Sequence, residues 1–517
     1  MAGISDKSDG GGAVRSVTIV GGGTAGWMTA ALLSKLLPSV SVTLIESDEI
    51  GIVGVGEATI PAMRDYLALA GIDQIEMIRA TQASFKLGIE FVDWRAPGSS
   101  YMHGFGKIGR DMAWLHTHQL WLRVADSGKN ADFDYYALNC LAARRNKFCF
   151  PDPRNPGSPM ADIDYAYHFD ASLFAAFLRR QSEARGVKRV EGRIIDVLRA
   201  GESGFVDHVV LANGKSISGE LFIDCSGMRA ILIGGALGID YEDWNHWLLC
   251  DRALAVPCES VSPLTPYTRS TARPAGWQWR IPLQHRIGNG HVYSSALMSD
   301  DEAATTLLAK LDGHALADPR PVKFAPGRRK QAWAKNVVAV GLAGGFLEPL
   351  ESTSIHMIQT AILRLVALFP TRGFAEPDIS EYNRQSRFEY EDVRDFIIAH
   401  YKVTERTGEP FWDYVRTMSV PDSLAERLDL FASSARFFVH GKAELFREES
   451  WVQVLLGQGL HARHDPVADL VSEEEAVGFL SDIAEVIDDV AAGMPDHAEF
   501  IARTCAASDR PGSRQSA

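Results

Sequence analysis

The sequence predicts an α/β fold. It has a Rossmann-like nucleotide-binding module with an inserted antiparallel sheet, then a mainly α-helical C-terminal module. Three observations predict it. A short β-rich run, Ser16 to Val20, ends in Gly21-Gly22-Gly23-Thr24-Ala25-Gly26 and leads into a helical pattern. A stretch rich in Trp, Pro and β-branched residues, Trp244 to Tyr293, reads as antiparallel sheet between later strands of the first module. Beyond Pro349 the apolar residues recur at helical spacing.

The elements follow in order. Ser16 to Val20 reads as a strand, Thr24 to Leu37 as a helix and Ser39 to Ile45 as a second strand, together one β-α-β unit. Leu221 to Asp224 and Asn336 to Val340 read as strands returning to that sheet. Each is followed by glycine, as suits a strand end facing a ligand. Ser354 to Phe369 places Ile355, Ile358, Ala361, Ile362 and Leu365 on one helical face. Residues 376–399 and 477–492 also read as helices. The division is a nucleotide-binding module with its insert over 16–350 and a helical module over 351–507. Polar tails at 1–15 and 508–517 are expected to be disordered.

Composition narrows the function. Apolar residues make up 46% and charged residues 23%, as in a globular protein. A net charge of −14 argues against a general nucleic-acid or anionic-membrane binder. No run approaches the roughly 20 apolar residues of a spanning helix, and the N-terminus lacks a signal-peptide core. Six dispersed cysteines without a C-x-x-C pair fit a reducing cytoplasm. His116-x-His118 has no Cys or Asp companions at ligand spacing, so no metal is expected.

Gly21-x-Gly23-x-x-Gly26 lies between strand and helix, where glycines let backbone approach a pyrophosphate and the helix N-terminus offers oriented N–H groups. Glu46 stands at the end of the second strand, placed to accept from a ribose hydroxyl. The loop itself does not choose between FAD and NAD.

Three further segments stand out. Gly276-Trp277-Gln278-Trp279-Arg280-Ile281-Pro282 puts two indoles on one side of an extended chain. Ser84-Phe85-Lys86 sets a lysine in an apolar stretch, and Glu348-Pro349-Leu350-Glu351-Ser352-Thr353 opens a long helix. Taken singly, these read as core indoles, a solvated charge and a helix cap. Together with the glycine loop, in this order, they resemble the flavin-dependent halogenases, the family that includes the tryptophan halogenases.

The resemblance implies an FADH2-dependent halogenase. Reduced FAD, O2 and chloride or bromide give hypohalous acid, which halogenates an electron-rich, indole-type aromatic. It implies Lys86 and Glu351 as catalytic residues. It adds Gly56 and Glu57 of Gly54–Thr59, with Leu342 and Ile355, to the FAD contacts Gly21, Gly23, Thr24, Ala25, Gly26 and Glu46. The halide falls at the Thr353 and Ser354 N–H groups. Ser354 stands where many relatives have glycine, which bears on halide preference. His103, Phe105, Trp277, Trp279, Ser352 and Trp451 line the substrate and the passage to it. Only one nucleotide loop is present, so a separate NAD(P)H-dependent flavin reductase supplies reduced FAD. A small aromatic is the expected substrate, and a homodimer stays open. The segment Glu444 to Trp451 lacks the tyrosine-rich stretch that clamps free tryptophan, which favours a less decorated indole. A flavin monooxygenase and a non-catalytic flavin-binding protein would use the same loop and remain the alternatives.

Overall fold

A computed structural model describes residues 12–49, 56–125, 127–439, 441 and 444–507. Residues 1–11 and 508–517 of the predicted tails, and Gly54 and Val55, lie outside the described residues. Packing begins before residue 16: Ala13 bridges to Thr371 and Val14 is buried.

The nucleotide-binding module is a six-stranded sheet. Its order is Trp333–Ala334, Val337–Ala339, Leu221–Asp224, Ser16–Val20, Ser41–Glu46 and Lys188–Glu191. Ser16–Val20 pairs in parallel with strands on both sides, and Leu221–Asp224 pairs in parallel with Val337–Ala339. Both faces of such a sheet are covered, so its central strands read as continuous apolar runs. Helix Thr24–Leu36 covers one face through Trp27, Met28, Leu32 and Leu33 and packs on helices Ala171–Ala184 and Ser354–Ala367. The helix stops before Leu37 because Pro38 drives the preceding residue out of the α region. The second strand therefore starts at Ser41, two residues after the predicted start.

The inserted sheet has seven strands, in the order Arg320–Lys323, Arg252–Cys258, Ile287–Tyr293, Gly276–Pro282, Thr268–Arg273, Gly88–Val92 and Ser100–Gly104. The Trp-rich stretch supplies four of them. A parallel join between Thr268–Arg273 and Gly88–Val92 adds two earlier strands, which makes the sheet mixed. That join puts His103, on the edge strand, in the same sheet as the tryptophan strand, and ties in the chain that directly follows Lys86. Ser84–Lys86 itself pairs with Ala166–Asp170, whose other neighbour is Gly56–Ala58.

The last third is helical. It includes Ser354–Ala367, Glu376–Lys402, Pro410–Thr417, Asp422–Ser434, Glu448–Gly457, Glu473–Gly493 and His497–Thr504. It is not a separate body. Helix Glu473–Gly493 packs on Thr117–Ala125 and Leu138–Arg144, and one apolar core holds Val17, Trp27, Ile362 and Leu480 together. The predicted division at residue 350 is thus a change of element type, with the core running across it. Among the described residues no helix is long and apolar enough to cross a membrane. All six cysteines are free thiols, five of them buried.

Candidate active site

The carboxyl ends of the parallel strands open into a cavity of about 870 Å3. Gly21, Gly23, Thr24, Ala25, Glu46, Gly56, Glu57, Leu342 and Ile355 all line it. Gly26 does not. A Cβ there would collide with the Gly21 carbonyl, so its role is to let the helix start close against the loop. The residues fit a dinucleotide. Helix Thr24–Leu36 has Gly23 as its N-cap, with no side-chain cap and no acidic residue in its first turn. Its first N–H groups are therefore open to an anion. Glu46 accepts from Trp27 Nε1 at 3.2 Å and is ion-paired with Arg189, so its carboxylate is held at the cavity wall. Burial pushes the Glu57 carboxyl up to about 7.

A second helix N-terminus faces the same cavity. Pro349–Glu351 forms a 3-10 turn, Ser352 takes a left-handed φ of 60°, and helix Ser354–Ala367 begins. A non-glycine residue in that region costs about 1 kcal/mol and tends to mark a functional turn. Thr353 occupies the N-cap position without a side-chain cap bond. Its Oγ1 is buried with no hydrogen-bond partner among the described residues. Ser352, Thr353 and Ser354 line the cavity. An uncapped helix start with an orphaned hydroxyl suits a small anion.

Lys86 lies on the far side of this turn and is fully buried. Its Nζ donates to the Thr59 carbonyl at 3.0 Å and to Ser352 Oγ at 2.8 Å. Phe105 presents its ring 5.2 Å from the same nitrogen. Burial lowers the Lys86 pKa, the Glu351 charge raises it, and the balance sits at about 7.

Glu351 is 1% exposed and is held between two histidines. His103 Nδ1 lies 2.9 Å from Oε2 and His400 Nε2 lies 2.7 Å from Oε1. His400 Nδ1 donates to the Phe396 carbonyl one turn back on its helix. Burial pushes the Glu351 carboxyl up, but the two imidazoles outweigh it and bring it down to about 2. Trp451 is fully buried on helix Glu448–Gly457 and reaches His103 only through Phe396, at ring separations of 4.8 and 5.8 Å.

The two tryptophans divide their surroundings. Trp279 lines the cavity, and its Nε1 has no partner among the described residues. Gly290 stands opposite it in register, and a Cβ there would collide with the indole. Trp277 lies behind, with its ring 6.1 Å from that of Trp279, and donates to Glu348 Oε2 at 2.6 Å. His116 pairs with Asp111, and His118 Nε2 lies 2.8 Å from the Ala435 carbonyl.

Sequence reasoning passed over Thr59, Glu348 and His400. The Thr59 contact is through backbone and leaves no residue signature. The other two carry one: each is a titratable residue in an otherwise apolar run, Phe346 to Leu350 and Phe396 to Tyr401. The predicted helix over 376–399 also stopped one residue short of His400.

The whole chain compares closely with known proteins. The family model for tryptophan halogenase matches residues 16–473. Tryptophan 6-halogenase SttH of Streptomyces toxytricini is 35% identical over 94% of this chain and 97% of its own length. Xcc4156, a flavin-dependent halogenase from Xanthomonas campestris, superposes with a TM-score of 0.93 at 48% identity, covering 96% of this chain and 100% of that one. BrvH, a flavin-dependent halogenase from Brevundimonas sp. BAL3, gives a TM-score of 0.90 at 46% identity, with 95% and 99% coverage. With its glycine loop, buried lysine and paired tryptophans in this arrangement, the chain belongs to the tryptophan halogenase family and is a flavin-dependent halogenating enzyme.

Proposed function

We propose that this halogenase works in the cytoplasm on reduced FAD supplied by a separate NAD(P)H-dependent flavin reductase. It converts chloride or bromide to hypohalous acid and halogenates a small indole-type aromatic at Lys86. The observation that carries this reading is the placement of Ser352. It lines the dinucleotide cavity and accepts a hydrogen bond from Lys86, so one residue separates the two halves of the chemistry.

Reduced FAD in the cavity supplies, with O2, the oxidising equivalents that turn halide into hypohalous acid. The N–H groups of Thr353 and Ser354 and the free Thr353 hydroxyl hold the halide. Trp279 stands in the cavity wall, keeping an organic substrate from the flavin while the small oxidant passes. Lys86 as an ammonium has three donors. Two are spent on Thr59 and Ser352, and the third holds the hypohalous acid. As the ring carbon bonds to halogen, the halogen–oxygen bond breaks, and the departing hydroxide takes a proton from the Lys86 ammonium and leaves as water. Glu351, ionised between His103 and His400, takes the ring proton. His103 and Phe105 face the substrate from the lysine side.

Tryptophan is the substrate named for the relative from Streptomyces toxytricini. Here Phe396 stacks on Phe446 and meets Trp451 edge-on behind His103, an apolar aromatic wall that supports an indole without an amino-acid head group. The test uses FAD, reductase, NADH, O2 and indole, with bromide and chloride in separate reactions. Product masses should show halogenated indole that depends on added halide. Oxygenated indole without halogen would replace this reading with that of a monooxygenase.

A further inference from the structure

Glu348 lies three residues before Glu351, yet it faces away from the dinucleotide cavity, which Leu347 and Pro349 line. It is 1% exposed. One of its oxygens, Oε2, accepts from both Trp277 Nε1 and the Tyr401 hydroxyl, each at 2.6 Å. The other, Oε1, has no partner among the described residues. A buried carboxyl satisfied on one oxygen only is a poor way to stabilise a fold. An apolar residue of similar size is often neutral or better in such a place. An orphaned buried polar atom in a native structure calls for a reason other than stability.

The partners supply that reason. Trp277 belongs to strand Gly276–Pro282, which carries Trp279 into the cavity wall. Tyr401 belongs to helix Glu376–Lys402 and directly follows His400, which holds Glu351. Trp94 fills the space between them, with its ring 6.4 Å from Trp277, 5.3 Å from Tyr401 and 6.2 Å from His400. Glu348 therefore joins the tryptophan strand, the His400 helix and its own turn through one carboxylate oxygen.

We infer that Glu348 is a positioning residue for halogenation: by gripping Trp277 and Tyr401 together it fixes the tryptophan wall relative to Glu351, and so limits escape of the oxidant on its way to Lys86. The inference rests on the proposed role of that wall. Loosening the grip lets Trp279 shift while leaving the nucleotide loop and the lysine in place.

The test compares Glu348→Leu, Glu348→Gln, Trp277→Phe and Tyr401→Phe in the full-length protein with FAD, reductase, NADH, O2, bromide and indole. Two quantities are read: halogenated indole formed per NADH, and hypobromous acid plus hydrogen peroxide trapped in solution. Glu348→Leu and Trp277→Phe should lower the first about tenfold and raise the second to match, with FAD affinity and the KM for indole within about twofold of the parent. Glu348→Gln keeps an oxygen that accepts both bonds and should retain most of the coupling. Trp277→Phe removes the donor together with the five-membered ring, whereas Tyr401→Phe removes a donor alone; it should show the same loss of coupling and carries the test if the leucine variant does not fold. Parental coupling in Trp277→Phe or Tyr401→Phe would overturn the inference, as would equal losses in the leucine and glutamine variants. A parent protein that makes no halide-dependent product would refute the halogenase chemistry itself, before any variant is read.

Discussion

Lys86 is buried without a direct carboxylate partner among the described residues, and its chemistry follows from that. Burial brings its pKa to about 7, so the ammonium and the amine are both accessible near neutrality. If the ammonium presents the oxidant, kcat/KM for the aromatic falls as pH rises through about 7. A rate that climbs through the same range would assign the step to the neutral amine and a haloamine. Glu351 behaves oppositely. Its pKa is depressed to about 2, so it stays ionised across the working range and adds no acid limb above about pH 4. A pH–rate profile from 5 to 9 checks both statements. The lysine's position in an apolar segment is plain in the sequence, but its partners are not. Thr59 offers a carbonyl and Ser352 is 266 positions away, so only the fold brings them together.

The turn before helix Ser354–Ala367 gathers several of the proposed site residues into one short element. Ser352 sits at φ 60° and accepts from Lys86. Ser352→Ala keeps the backbone strain but removes that acceptor, and should lower kcat about tenfold without weakening FAD binding. Steady-state rates beside a flavin titration would show it, and unchanged kcat would mean that Lys86 needs no help from the turn. A second element-scale prediction concerns the tryptophan strand. Gly290 faces Trp279 across the ladder and leaves no room for a Cβ. Gly290→Ala should displace the indole, destabilise the protein by about 1–3 kcal/mol in denaturant unfolding, and release more free oxidant per NADH. At this scale the sequence was informative. Strand Leu221–Asp224 falls where its apolar run before glycine places it, and the helix from Ser354 follows its apolar spacing. Less legible was which way the two indoles would be used. Alternation puts Trp277 and Trp279 on one face, but only the packing of Trp94 and Glu348 shows that Trp277 is the inner one.

Across the whole molecule, the glycine loop, the turn before helix Ser354–Ala367 and Trp279 share one cavity, while Lys86 and Glu351 are not among the residues that line it. That separation is a product of topology. The strand Gly88–Val92 joins the inserted sheet in parallel with Thr268–Arg273, a pairing of residues about 180 positions apart that no local pattern announces. His400 was hidden for a related reason: its helix extends past the predicted end at 399, and its partner Glu351 comes from a different element.

The central claim is that oxidant made in the cavity reaches the substrate through Lys86. The most direct measurement compares the parent protein with Lys86→Ala, given FAD, reductase, NADH, O2, bromide and indole, with an oxidant trap in parallel reactions. The parent should give bromoindole, and Lys86→Ala about a hundredfold less, while flavin binding and the trapped oxidant persist. Equal bromoindole from both proteins, with free oxidant scavenged, would contradict it.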